Sequence, residues 1–278
     1  LPSREEREIS YHNNMHGQHV SWQSSFSHEH PEYAVLDRNG STRQWGVLCL
    51  AYEEVRKYFV KLYLELLDEY DFDGLFVCFR SQSKPAEFAD QFNFNEPVRR
   101  DFQKIYGKDI LKDDFNLQDW RDLVGKYITD FLRVLKNELR KKNRSLSIGL
   151  ARGDVIGPPL GNTTLQWREW IQDGLVDNLI INQSSCQCPS IHHKLWPMHK
   201  GSGYVQNYLD SCNLPPIEKH LNESYFPIVS KSSANLYVAR QWNQRSEKEE
   251  MELLNNPSVS GLVFSSFRFD NLGPLARN

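Results

Sequence analysis

The sequence has no apolar run approaching the ~18 residues that cross a bilayer, so no membrane partner is expected. Cysteine is scarce and odd in number, at 5 residues, which excludes a disulfide scaffold. No Gly-x-Gly-x-x-Gly opens a helical stretch, and Gly-x-x-x-x-Gly-Lys-Ser/Thr is absent. A dinucleotide-binding Rossmann domain and a P-loop are thereby set aside. Basic blocks are missing too, and the net charge is −3. Lys141, Lys142 and Arg144 read as the solvated end of a helix, and nucleic acid is not an expected partner. The chain opens LPSREEREIS, without Met or a secretory leader. That opening reads as processed, cloned or truncated and leaves location open. Sequons at Asn39, Asn143, Asn162, Asn182 and Asn222 matter only in a eukaryotic secretory pathway.

What is present is a chain of 278 residues, 39% hydrophobic and 25% charged, enough to fill one large α/β core. The organising stretch is Leu48–Ser81. Trp45–Leu50 is a short apolar run. Val55, Tyr58, Phe59, Leu62, Tyr63, Leu66, Leu67 and Tyr70 then recur on one helical face. Asp71–Gly74 is turn chemistry, and Leu75–Phe79 is apolar throughout, as suits a strand buried on both faces. Strand, crossover helix and strand make a βαβ unit. Further on, Trp120, Leu123, Val124, Tyr127, Ile128, Phe131, Leu132, Leu135 and Leu139 define the clearest helix, Asp119–Lys142. Pro97–Tyr106, stopped by Gly107, reads as a shorter one. Leu146–Ala151, Leu175–Asn182, Asn235–Ala239 and Gly261–Phe267 read as strands. Thr163 or Thr164 would cap a helix to Asp173, and Ser246 one to Leu254, with Glu249 completing a capping box.

Alternating strands and helices predict a parallel sheet with helical crossovers. Long loops follow the strands while helix-to-strand turns are short. That asymmetry fits a (β/α)₈ TIM-type barrel with its site on the C-terminal face. All six strands are expected as parallel neighbours in one sheet. A closed barrel needs two more, from residues 1–45 or from chain before Leu1. The domain reading is one barrel over residues 1–278, with 1–45 a loop-rich N-terminal segment, incomplete at the N-terminus and clear from strand three to strand eight.

Several segments together resemble a bacterial group of glycoside-hydrolase-like barrels, the family-10-like glycosyl hydrolases. His30-Pro31-Glu32-Tyr33 resembles that group's His-Pro-Asp/Glu-Trp. Glu54-Val55-Arg56 is similar to its Pro-Glu-Val-Arg, with Glu53 in place of the proline. Tyr70-Asp71-Phe72-Asp73-Gly74 resembles its Tyr-Asp-Val-Asp-Gly ahead of the fourth barrel strand. Trp167–Asp177 and Ser260–Phe264 are similar to segments at strands six and eight. The resemblance runs from about Trp22 to the C-terminus. It implies a secreted or periplasmic hydrolase that cleaves glycosidic bonds in a poly- or oligosaccharide by a two-carboxylate mechanism. One departure stands out: Cys78 occupies the usual strand-four carboxylate position. The alternative reading is therefore a carbohydrate-binding barrel that has lost its chemistry.

Glycoside hydrolysis needs two carboxyl groups across the scissile bond. Asp154, Glu53 and Glu54 follow strands and are the candidate catalytic acids; Asp270 is a weaker one. A helix N-terminus equally explains the two glutamates, and a turn explains Asp154. Arg80, Arg152 and Arg240 end strands, and their forks suit carboxylate or sulfate; ion pairs at the rim are the plainer account. His30 and Trp242 complete the expected substrate-binding set, and all these residues are expected to converge on one pocket. Cys186, Cys188, His192 and His193 do not have a usual zinc spacing, and a disulfide to Cys212 is an alternative. No metal or cofactor is expected. The sequence leaves the oligomeric state open.

Overall fold

The computed structural model describes residues 24–79, 90–150, 152–156, 163–182, 215–241 and 246–265. Helix α1 (Ser25–Glu29) and a 3₁₀ turn (Pro31–Tyr33) lead into strands β1 (Ala34–Leu36) and β2 (Arg43–Leu48). Helix α2 (Glu53–Glu69), β3 (Gly74–Phe79), α3 (Glu96–Tyr106), α4 (Leu117–Lys141) and β4 (Ser145–Leu150) follow. A short antiparallel pair, β5 (Val155–Ile156) and β6 (Thr163–Thr164), precedes α5 (Trp167–Gln172) and β7 (Asn178–Ile181). Then come α6 (Ile217–His220), a π-helical turn (Leu221–Tyr225), α7 (Phe226–Val229), β8 (Asn235–Gln241), α8 (Glu247–Leu254) and β9 (Gly261–Ser265). No helix among the described residues is long and apolar enough to cross a membrane.

Strands β3, β4, β7, β8 and β9 form one parallel sheet in that order. The protein is thus mixed α/β with helical crossovers, and the described residues form an open sheet with β3 and β9 at its edges. One expected member is missing. The strand foreseen at Trp45–Leu50 is β2, and it pairs antiparallel with β1 in a separate two-stranded sheet. The reason is local. Gly40, at φ +73°, turns the chain, and Asp37 fixes that turn by accepting from the Ser41 amide at 2.8 Å. Arg43 then donates to the carbonyls of Glu32 and Ala34 at 2.8 and 2.9 Å. The hairpin forms within the segment read as loop, and β2 takes β1 as its partner in place of the parallel sheet.

This displacement explains a second difference. The apolar stripe of α2 is only partly covered: Val55 and Leu67 are buried, but Leu62, Leu66 and Tyr70 are 44%, 41% and 47% exposed. On β3, Leu75 and Val77 are buried and Phe76 is 52% exposed. Among the described residues no strand pairs with the outer edge of β3, and its second face and the outer half of α2 are only partly covered. The expectation of burial on both faces fails there for that reason.

Helix α4 meets the sequence expectation at all nine apolar positions, each of which is buried. Asn116 caps it by accepting from the Gln118 amide at 2.9 Å. Its two halves serve two cores. Trp120, Leu123, Val124 and Tyr127 pack with Val35, Phe92, Phe94 and Phe102. Ile128, Phe131, Leu132, Leu135 and Leu139 cover the sheet with Leu146, Ile148, Leu179 and Trp170. At roughly 1.5–3 kcal/mol per fully buried large side chain, this face supplies a large part of the drive to fold. Lys136 is buried among them. It ion-pairs with Asp177, which also accepts from the Leu146 amide at 2.6 Å, tying helix to sheet.

The predicted cap at Thr163 or Thr164 is corrected. Those residues are β6, and α5 starts at Trp167 with Gln166 before it. Strand β6 lies against α4 at Gly125, where an added Cβ would stand 2.0 Å from the Thr164 carbonyl oxygen. Gly125 costs about 1 kcal/mol of helix propensity relative to alanine, yet the contact requires it. Gly125→Ala is therefore expected to destabilise the protein by about 1–3 kcal/mol despite the better helix former. Urea unfolding checks this: the midpoint should fall with an unchanged slope, and a higher midpoint would mean that the β5–β6 pair does not press on α4.

Candidate functional site

Asp154 stands just past the C-terminal end of β4, the edge where parallel sheets gather their ligands. The chain turns there through Gly153, whose φ of +109° favours glycine. The Asp154 carbonyl accepts from the Leu165 amide at 2.8 Å, closing the β5–β6 excursion. Its carboxylate is half exposed, and one oxygen carries both of its donors among the described residues. Oδ1 accepts from Trp167 Nε1 at 2.8 Å and from Arg168 Nη1 at 2.9 Å. The Arg168 guanidinium also lies over the Trp167 ring, 4.4 Å from its centroid.

Behind Asp154 lies a layer that the sequence did not announce. The Trp167 and Tyr225 rings stack at 4.6 Å, and His220 leans on Tyr225 at 5.1 Å. Tyr225 closes the π-helical turn, a distortion of a kind often found at functional sites. Its hydroxyl accepts from the Gly153 amide at 3.4 Å, and burial pushes its phenol up to about 12. His220 is buried, and its Nδ1 has no hydrogen-bond partner among the described residues. Burial, followed by the charge of Arg152, lowers its pKa, and Asp154 opposes that shift. Arg152 is half-buried and donates through Nη1 to the Pro215 carbonyl at 2.8 Å. Burial depresses its pKa. Arg152 and Asp154 thus sit together as expected, but the carboxylate's ion partner is Arg168 rather than Arg152.

Glu53 and Glu54 lie in the first turn of α2 and border a different space. It is a cavity of about 650 Å³ between α2, α3 and α4, with Tyr52, Glu96, Arg100 and Tyr127 also in its walls. Neither Arg152 nor Asp154 lines it. Glu53 is paired with Lys57 at 2.6 Å, and that hydrogen bond lowers its pKa. Tyr127 donates to Asp101 at 2.7 Å, and burial followed by that bond raises its phenol pKa. Glu53 and Glu54 thus border a space that Arg152 and Asp154 do not line.

The other candidates fare differently. Arg240 is buried, and its fork grips Glu249 at 2.9 and 2.7 Å, joining β8 to α8. Ser246 caps α8 as foreseen, accepting from the Glu249 amide at 3.4 Å. The Glu249 carboxylate goes to Arg240 instead of completing the capping box, so the fork expected to hold substrate is engaged within the protein. His30 shares a hydrogen bond of 3.1 Å with Glu32 and packs on Phe26 and Tyr33. Cys78 lies beside Gly149 in the β3–β4 register. Arg80, Trp242, Asp270 and the Cys186–His193 group lie outside the described residues. His220, Tyr225 and Arg168 were missed. Only Arg168 lay within a motif, and nothing in the sequence signals the π turn that brings His220 and Tyr225 to β4.

No family model matches this sequence. Laccase-2 of Podospora anserina is 34% identical over 67 residues, a stretch covering 24% of this chain and 10% of that protein. The chain thus spans about a tenth of the length of that curated relative. Among solved structures, the PgaB (BpsB) glycoside hydrolase domain from Bordetella bronchiseptica aligns with TM-score 0.47 and 10% identity, covering 84% of this chain and 63% of that one. The Ostrinia furnacalis Group IV chitinase in complex with allosamidin aligns with TM-score 0.30 and 16% identity, covering 70% and 41%. The chain spans less than two thirds of either structure, and similarity at these levels assigns neither family nor activity.

His220 provides a pH test of this geometry. Its folded-state pKa is lowered from the ordinary value of 6.5. As pH falls below 6.5 the unfolded chain takes up a proton that the folded chain refuses. Stability should then decline with falling pH in that window. His220→Gln should flatten that part of the decline, read as thermal melting of both proteins between pH 7 and pH 5. Identical slopes would mean that His220 titrates freely.

Proposed function

We propose that this chain acts on a poly- or oligosaccharide as a glycoside hydrolase, with Asp154 as one of its two carboxyl groups. The observation that carries the reading is the setting of Asp154. A half-exposed carboxylate stands at the C-terminal edge of a parallel sheet, pinned through one oxygen by Trp167 and Arg168. The motifs resembling family-10-like glycosyl hydrolases support it independently. In such a reaction one carboxyl group protonates the leaving oxygen, and its partner acts as base or nucleophile. Their separation, ~5–5.5 Å or ~6.5–9.5 Å, decides between retention and inversion. Fixing one oxygen of Asp154 orients the carboxylate plane toward a bound glycosidic bond and limits reorganisation during the reaction.

A second reading is favoured by two observations. Glu53 and Glu54, the remaining candidate acids, border a separate cavity, and Cys78 stands where the resembling family carries a carboxylate. On that reading the domain binds carbohydrate without cleaving it. Reducing-end release across charged and neutral polysaccharides separates the two. On a turned-over substrate, Asp154→Asn should lower turnover by about 10²–10⁴-fold, the usual contribution of a general acid or base, with sugar affinity largely kept. Near-full activity in that variant would overturn the assignment. Sugar binding without turnover in the parent protein would favour the second reading, and gain of activity in Cys78→Asp would then identify the missing group.

A further inference from the structure

The charges around Asp154 do not balance evenly. Asp154 has Arg168 at 2.9 Å, and Glu223, which also faces His220, has Lys219 at 3.8 Å. These two carboxylates therefore have their own cations. Arg152 has only the Pro215 carbonyl, at 2.8 Å from Nη1, and no carboxylate among the described residues is within ion-pair distance of it. Half-burying a guanidinium without a counter-charge is costly, and the rest of its fork has no described acceptor. The second observation is independent of the first. His220 is only 8% exposed, and its Nδ1 has no hydrogen-bond partner among the described residues. Buried polar nitrogens are ordinarily satisfied. The two groups belong to one cluster: Arg152 donates to the carbonyl of Pro215, the His220 amide donates to the carbonyl of the next residue, Pro216, and the His220 ring packs at 5.1 Å on Tyr225, whose hydroxyl accepts from the Gly153 amide beside Arg152. Both unmet demands are answered by an anion that accepts hydrogen bonds.

We infer that Arg152 and His220 form an anion subsite beside Asp154 that takes the carboxylate of an acidic saccharide, so that the substrate class is a uronate-containing glycan. The inference rests on the carbohydrate reading above and names its substrate. The planar fork of Arg152 matches a carboxylate better than a point charge would, and His220 in its Nδ1–H tautomer donates to the same group. The Pro215 carbonyl holds the Arg152 side chain, and the Tyr225 ring holds that of His220, near the end of β4. A neutral sugar would leave the guanidinium uncompensated, and this sets the preference for an acidic one.

Calorimetric titration of the full chain with trimers of galacturonic, mannuronic and guluronic acid, each beside its methyl ester, tests this. At least one acid trimer should bind tenfold or more tightly than its ester. Arg152→Gln should reduce the acid to the affinity of the ester, and Arg152→Lys should restore part of the preference. His220→Gln should weaken acid binding while leaving the ester unaffected. Melting curves for each variant identify any that fail to fold, and in that event the acid-to-ester ratio of the parent protein and of Arg152→Lys decides. Equal affinities for acid and ester in the parent, a preference that survives Arg152→Gln, or no binding of any trimer would each overturn the inference. Turnover of a neutral glycan without acid preference would sink this subsite and leave the hydrolase reading standing. An Arg152-dependent acid preference without turnover of any glycan would do the reverse.

Discussion

The apolar face of α4 is the constraint on which the rest of the molecule depends. One half of that face closes the core under β1 and β2, and the other half covers the parallel sheet. Among the described residues, no other helix contributes as many buried side chains to both cores. The same helix carries Gly125, whose missing side chain admits the Thr164 backbone. It also carries Thr129, which donates to Gln166 at 2.6 Å and accepts from Trp170 at 2.7 Å. Through these contacts α4 fixes the β5–β6 pair and α5. They in turn place Trp167 and Arg168 against Asp154. A surface carboxylate thus acquires a defined orientation from a buried helix two layers away.

Polar groups follow the same logic. Lys136 and Asp177 join α4 to the start of the sheet strands, and Arg240 and Glu249 join β8 to α8. Arg99 and Arg121 grip Asp109 and Asp90 around α3 and the N-terminal half of α4. Buried charges persist where each has a hydrogen-bonded partner, and these pairs are structural. Residues with functional promise are those left over once such pairs are assigned. Asp154 keeps an exposed face, and Arg152 and His220 keep unmet hydrogen-bonding capacity. The six sequence candidates among the described residues look alike in the chain, but their partners separate them: Arg240 and Glu53 have committed ones, whereas Arg152 does not.

How much the chain revealed depended on the range of the interactions involved. The nine buried positions of α4 follow from 3.6-residue periodicity, and the five sheet strands from apolar runs bounded by turns. Both are properties of neighbouring residues. The αL stops at Gly107 and Gly174, with φ +70° and +62°, and the Ser246 cap were readable for the same reason. The antiparallel pairing of β2 was not, because an apolar run carries no record of which edge it will meet. The β5–β6 pair depends on a glycine 39 residues upstream of Thr164 accepting its backbone, a contact invisible to local pattern. His220 and Tyr225 reach β4 only because a π turn and the stacking on Trp167 bring them there. Their sequence context, IEKHLNESYF, falls in a long stretch, Gln183–Phe226, that reads as irregular.

The central claim is that the saccharide site lies at the end of β4 around Asp154 and not in the cavity bordered by Glu53 and Glu54. A crystal structure of the Asp154→Asn protein soaked with an oligosaccharide that the parent protein binds tests it most directly. The predicted result is a sugar ring with a glycosidic oxygen within hydrogen-bond distance of the substituted carboxamide at position 154, beside Arg152 and Arg168. A sugar seated between α2, α3 and α4 against Glu54 and Tyr127, with nothing bound at position 154, would contradict it.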